Sequence, residues 1–204
     1  MEIEVLFALS VFALVMSITP GPNNLMLMSS GTNFGFRRSV PHMMGVTIGF
    51  FMMVIFSGVG VFELFEAFPK SQIVFKVLSV SYLSYLSWKI FMSAFQSQGS
   101  SSAVGRLQPF NFVQALLFQW VNPKGWVMAM SAVTGYISSN SIYSLVMVAI
   151  VFSLVMLPSI SLWTYMGLQI QRLLNSAIKR KVFNISVSVL LMLSLYPVVF
   201  SEMG

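Results

Sequence analysis

The chain has 204 residues, of which 57% are hydrophobic and only 8% charged, against about 25% charged in an ordinary soluble domain. With a mean hydropathy of +0.85 and apolar runs from end to end, such a chain is solvated by lipid rather than by water. The absence of cysteine excludes disulfides, thiolate metal sites, iron–sulfur clusters and thiol redox chemistry, and one histidine with no aspartate is too little for a dedicated transition-metal site. No cofactor and no nucleic-acid partner is expected; the formal net charge of +6 reads as a topology signal.

Crossing a hydrocarbon core takes about 20 mostly apolar residues. Six stretches qualify, at 3–29, 41–61, 73–95, 110–137, 143–168 and 182–200. The expected fold is therefore all-α, a single polytopic transmembrane domain over 1–204. The first stretch opens with Glu2 and Glu4 rather than Lys or Arg, and no small-residue cleavage site follows it, so it reads as a span and not as a leader. The third is the weakest, because Lys76 and Lys89 leave only twelve uncharged residues between them; both lysines reach interfaces by snorkelling.

Charge sets the orientation. Eight of the eleven basic residues (Arg37, Arg38, Lys89, Arg106, Arg172, Lys179, Arg180 and Lys181) fall on one side, and all five acids, Glu2, Glu4, Glu63, Glu66 and Glu202, on the other. The basic side is expected to be cytoplasmic, with both termini outside. Trp88, Tyr136, Tyr143, Trp163, Tyr165 and Tyr196 sit where interface aromatics belong.

A Ser- and Gly-rich linker over 96–109 divides the chain into halves at about 3–95 and 110–200. Three spans per half require the second half to enter from the opposite face, so any repeat is inverted. The halves share a defect. Span one is interrupted by Thr19, Pro20, Gly21, Pro22, Asn23 and Asn24, and span four by Asn122, Pro123, Lys124 and Gly125. Each proline lacks an amide, which strips the helical partner from the carbonyls of Met16, Ile18 and Gln119. Backbone freed at membrane depth must be covered by protein or line a wet cavity, and paired breaks in matching helices mark a transporter's substrate site. Half-helix N-termini suit a carboxylate and freed carbonyls suit an ammonium, so the expected ligand is an amino acid zwitterion. Lys124 lies about 20 Å in from the inner end of span four, at 1.5 Å per residue. With no carboxylate nearby in the sequence, it reaches a water-filled cavity or meets a negative charge on the substrate. The expected substrate contacts are the two interrupted runs, Asn122, Pro123 and Lys124 with Thr19 to Asn24, together with Gln119 and Thr47.

The other cues read more plainly. Gly45 and Gly49 form a small-xxx-small pair for close helix approach. The 16 methionines are adaptable packing rather than a copper site. Ser81, Ser84 and Ser87 glue helices, having no base in reach to make a nucleophile. Pro158 kinks span five, and His42 reads as an interfacial, solvated group able to take a proton near neutrality.

The runs Thr19-Pro20-Gly21-Pro22-Asn23-Asn24, Gly35-Phe36-Arg37-Arg38, Gly45-Val46-Thr47-Ile48-Gly49-Phe50 and Phe118-Gln119-Trp120-Val121-Asn122-Pro123-Lys124 resemble the LysE/RhtB family of bacterial amino acid exporters over nearly the whole chain. The Asn23-Asn24 version looks most like the cysteine and O-acetylserine exporter branch. The resemblance implies efflux of a neutral amino acid or derivative across the inner membrane, driven by the proton gradient. Many family members carry Asp where this chain has Asn23, which leaves coupling to His42, to Glu63 or to an uncoupled mechanism. The leading expectation is a secondary exporter working by alternating access. The alternative is a non-transporting subunit or receptor that binds a partner through its broken helices; an enzyme is not expected. Partners are the solute and membrane lipid, and a homo-oligomer stays open.

Overall fold

The computed structural model describes residues 2–61, 67–95, 108–137 and 141–200. Glu63, Glu66, Arg106, Glu202 and the 96–107 part of the linker lie outside the described residues. Every described element is a helix: α1 (Ile3–Ile18), α2 (Pro22–Phe34), α3 (Phe36–Phe56), α4 (Pro69–Ser93), α5 (Phe112–Trp120), α6 (Pro123–Tyr136), α7 (Ile142–Leu173), α8 (Ala177–Leu193) and the short α9 (Tyr196–Phe200). A wider turn over Ser57–Val61 closes α3, where Gly60 takes φ 106°.

Proline and caps place the boundaries. Pro22, Pro69 and Pro123 open α2, α4 and α6, where a missing amide costs nothing. Asn111 starts α5 with a capping box, accepting the Gln114 amide at 2.8 Å while Gln114 accepts that of Asn111 at 3.1 Å. Ser176 caps α8 by accepting the Lys179 amide. Gly35, at φ 79°, turns α2 into α3; a side chain would be strained there.

Two helices, Phe36–Gly60 and Ile142–Leu173, are long and apolar enough to cross a membrane, and α1 with α2 makes a third span bent by 60° at its break. α4, the α5–α6 pair and α8 stand where the other three spans are expected. α8 begins at Ala177, five residues before the expected start at Val182, because the Ser176 cap sets its origin. α7 continues through Pro158 as one helix rather than ending there.

α7 packs against α1, α2 and α3; α3 lies between α7 and α5; α4 pairs with α8. One core gathers Leu9, Val46, Phe50, Met53, Ala129 and Phe152, a second Leu25, Leu83, Phe118 and Leu191. Large apolar side chains such as Phe7, Leu154, Leu173 and Ile178 stay exposed, while Asn23, Asn24, Gln119 and Asn122 are buried. That reversed polarity is what lipid as solvent selects.

Lipid tails give helices no hydrophobic reason to associate, so close approach and interhelical hydrogen bonds carry the packing. A Cβ on Gly31 would stand 2.0 Å from the Thr164 carbonyl oxygen, and one on Gly167 2.0 Å from that of Met28. Thr32 Oγ1 donates to the Gly167 carbonyl at 2.9 Å across the same α2–α7 crossing. Gly45 and Gly49 do the expected work against α5, where an added Cβ would stand 2.4 and 3.1 Å from the Phe112 and Leu116 carbonyl oxygens. Ser87 donates to the Ser188 carbonyl at 2.8 Å and Ser188 to that of Ser87 at 2.9 Å, joining α4 to α8.

One expectation is corrected. His42 is not solvated at an interface but 1% exposed, its ring 5.0 Å from that of Phe110. The segment before α5 folds over it, which the sequence position of Pro41–His42 does not reveal.

Candidate functional site

Each carbonyl released by a proline finds a new donor. The Met16 carbonyl accepts Thr19 Oγ1 at 2.9 Å, and that of Ile18 accepts Trp163 Nε1 at 3.0 Å. Asn24 Nδ2 reaches back to the carbonyls of Ser17 and Thr19, both at 2.8 Å, and so stitches the start of α2 to the end of α1. At the second break the Gln119 carbonyl accepts the Asn122 amide at 3.1 Å, and the Asn122 carbonyl takes that of Gly125 at 3.0 Å. The helix ladders are thus interrupted with few backbone groups left bare.

The two breaks meet. Lys124 Nζ donates to the Thr19 carbonyl and Oγ1, both at 2.8 Å, and to the Pro20 carbonyl at 3.3 Å. Its stem lies against Gly21, where a Cβ would come within 2.7 Å of Lys124 Cδ. Asn23 Nδ2 donates to Gln119 Oε1, and Gln119 Nε2 to Met53 Sδ at 3.4 Å. Between these groups lies a cavity with about 30 Å³ open to water-molecule centres, room for two or three waters at roughly 10–15 Å³ each.

Of the residues the sequence singles out, Gly21, Pro22, Asn23, Asn24, Gln119, Asn122 and Lys124 line this cavity. Thr19 and Pro20 border it through Lys124, and Pro123 serves as the first residue of α6. Thr47 is not in the lining; its hydroxyl donates to the Met43 carbonyl one turn back. Sequence reasoning missed Met16 and Ser17 of α1, Val46 of α3, Met128 of α6 and Met156 and Ile160 of α7. Only the position of Met16 and Ser17 just ahead of Pro20 could have flagged any of them; an apolar residue facing a cavity looks in sequence like one facing a neighbour.

The lining carries both signs of partial charge. The N-termini of α2 and α6 open onto it with their first amides outside the helical ladder. Asn23 Oδ1, Asn122 Oδ1 and Ser17 Oγ are buried without a hydrogen-bond partner among the described residues, and each would accept from an ammonium. The carbonyls of Met16, Ile18 and Gln119, expected to suit a solute's ammonium, accept instead from Thr19, Trp163 and Asn122, and Lys124 holds those of Thr19 and Pro20.

This arrangement, proline-broken helices closing a polar cavity inside an apolar-surfaced bundle, is that of a membrane translocator. The family model described as LysE type translocator matches residues 14–195, and the chain belongs to that family, whose members translocate rather than catalyse. It is 29% identical over 126 residues to the cysteine/O-acetylserine efflux protein of Klebsiella pneumoniae subsp. pneumoniae, and 27% identical over 126 residues to that of Escherichia coli strain K12. Each match covers 62% of this chain and 62% of the relative, so the chain spans less than two thirds of the length of these curated relatives. No solved structure matches it.

Proposed function

We propose that the chain is an inner-membrane secondary exporter of a neutral amino acid or derivative, the cysteine and O-acetylserine class being first to test. It works by alternating access of two inverted three-span halves, with both termini outside and the proton gradient as driving force. The observation that carries this reading is the meeting of the two breaks at Lys124. A space of about 30 Å³ holds waters but not an amino acid, so the cavity must widen to load, which supports a rocking of one half against the other. All three Nζ donors of Lys124 are engaged at the α1–α2 break. A solute carboxylate arriving there competes with the Thr19 and Pro20 oxygens for the ammonium, and winning it unlatches α6 from the break. The solute ammonium then takes Asn23 Oδ1 and Asn122 Oδ1. Binding is thereby spent on motion, as a population shift requires.

The test is flux from proteoliposomes or inverted vesicles with a panel of labelled neutral amino acids. Lys124→Met keeps a stem against Gly21 and removes the charge; it is expected to abolish efflux while membrane insertion stays intact. Export at the parental rate by that variant sinks the latch role, and absence of flux from the wild-type protein for every solute favours the partner-binding alternative.

A further inference from the structure

A second chamber lies beside the first. It has about 40 Å³ open to water-molecule centres and is lined in part by Ser29 and Ser30 of α2, His42 of α3, Lys89 of α4, and Gln108 and Phe110 ahead of α5. His42 is 1% exposed, and neither ring nitrogen has a hydrogen-bond partner among the described residues. A buried imidazole with two unmet nitrogens is costly unless water serves it, and the chamber has room for about three waters by the same measure. The two chambers are stacked along shared helices. Val46, one turn beyond His42 on α3, lines the first. Ser29 is six residues, about 9 Å, along α2 from Asn23 at 1.5 Å per residue.

We propose that His42 is the proton-carrying residue of this exporter, binding one proton from water in the second chamber and releasing it when the chamber opens to the opposite side. The inference rests on the proton-coupled reading above and names the group that performs it. The five acids are Glu2, Glu4, Glu63, Glu66 and Glu202, and among the described residues none of them lines either chamber. Lys124 is committed to three oxygens. His42 is the single histidine, and its imidazole can take a proton on a ring nitrogen and give it up again. Among the described residues, Lys89 of α4 is the one charged group in the lining; α2 and the segment before α5 contribute none, and on α3 itself Arg38 stands one turn away at the exposed end. The step moves a proton onto and off an imidazole nitrogen and needs no other reactant.

The experiment reads the ratio of flux with an imposed pH gradient to flux without one, in proteoliposomes. The wild type is expected to be stimulated, and His42→Gln to lose the stimulation whatever its basal rate. Undiminished stimulation in His42→Gln overturns the proposal and leaves the exporter reading standing. Wild-type flux that ignores the gradient overturns proton coupling and this proposal with it, leaving the exporter reading standing, and no wild-type flux overturns the exporter reading itself. A variant that fails to fold does not end the matter, because labelled histidine gives one imidazole signal. That signal is expected to report a change of protonation state with pH, at a midpoint that moves when the transported solute is added. An imidazole in one protonation state at every pH at which the protein stays folded, with and without solute, overturns the proposal.

Discussion

Asn24 shows how a helix can be broken at membrane depth without ruin. Pro20 and Pro22 take the helical donors from the Met16 and Ile18 carbonyls, and beside them the Asn24 side-chain amide bonds the Ser17 and Thr19 carbonyls. Asn24→Ala leaves the buried Ser17 carbonyl short of that donor, at a cost of about 1–3 kcal/mol, while the Thr19 carbonyl keeps Lys124 Nζ. The expected outcome is a clearly lower unfolding midpoint in detergent, with efflux falling as the break loses its shape; a midpoint equal to the wild type's contradicts this account. Asn23 plays a different part. Its amide nitrogen holds Gln119 of the other half while its oxygen stays unpaired. Asn23→Ala is therefore expected to weaken solute binding, read as a raised half-saturation concentration, more than it lowers the unfolding midpoint.

At the scale of the element, two kinds of glycine separate cleanly. Gly31 and Gly167 let α2 and α7 approach until an added Cβ would lie 2.0 Å from a facing backbone oxygen. Backbone cannot step aside as a side-chain end can, so Gly167→Ala forces the helices apart, breaks the Thr32 bond to the Gly167 carbonyl and is expected to cost at least the ~1–3 kcal/mol of ordinary overpacking. Gly135, with nothing within 4 Å of its Cβ position, is the matched control. Folded yield by size-exclusion should collapse for Gly167→Ala and hold for Gly135→Ala; equal yields would refute the crossing as the keystone of the α2–α7 contact. The small-xxx-small pair Gly45 and Gly49 was readable in the sequence because both glycines fall on one helix face. Gly31 and Gly167 were not, since each is alone on its helix and gains meaning only from its partner 136 residues away.

For the whole molecule, the proposed six-span topology with termini outside can be tested directly because the chain has no cysteine. Ile3→Cys and Asn175→Cys are separated by five expected crossings. A membrane-impermeant maleimide applied from outside is expected to label the first and to reach the second only after the membrane is opened. Labelling of both from the same side would remove one crossing and with it the inverted pairing of the halves.

The sequence alone determined the solvent, the all-helical class, the family and the places where two helices break. Each of these follows from local chemistry: apolar runs, missing proline amides and glycine spacing act within a few residues. It also contained all of the central cavity's polar lining but Ser17, because polar residues are few enough in such a chain that those near a break have nowhere else to go. Only the tertiary structure decided what they meet. It gave the freed carbonyls donors from the protein itself, seated Lys124 on the Thr19 and Pro20 oxygens, took Thr47 out of the lining, and carried His42 from an interface into a second chamber. Those outcomes depend on which helices lie side by side, and in lipid that choice rests on backbone contact distances that leave no periodic mark on the chain.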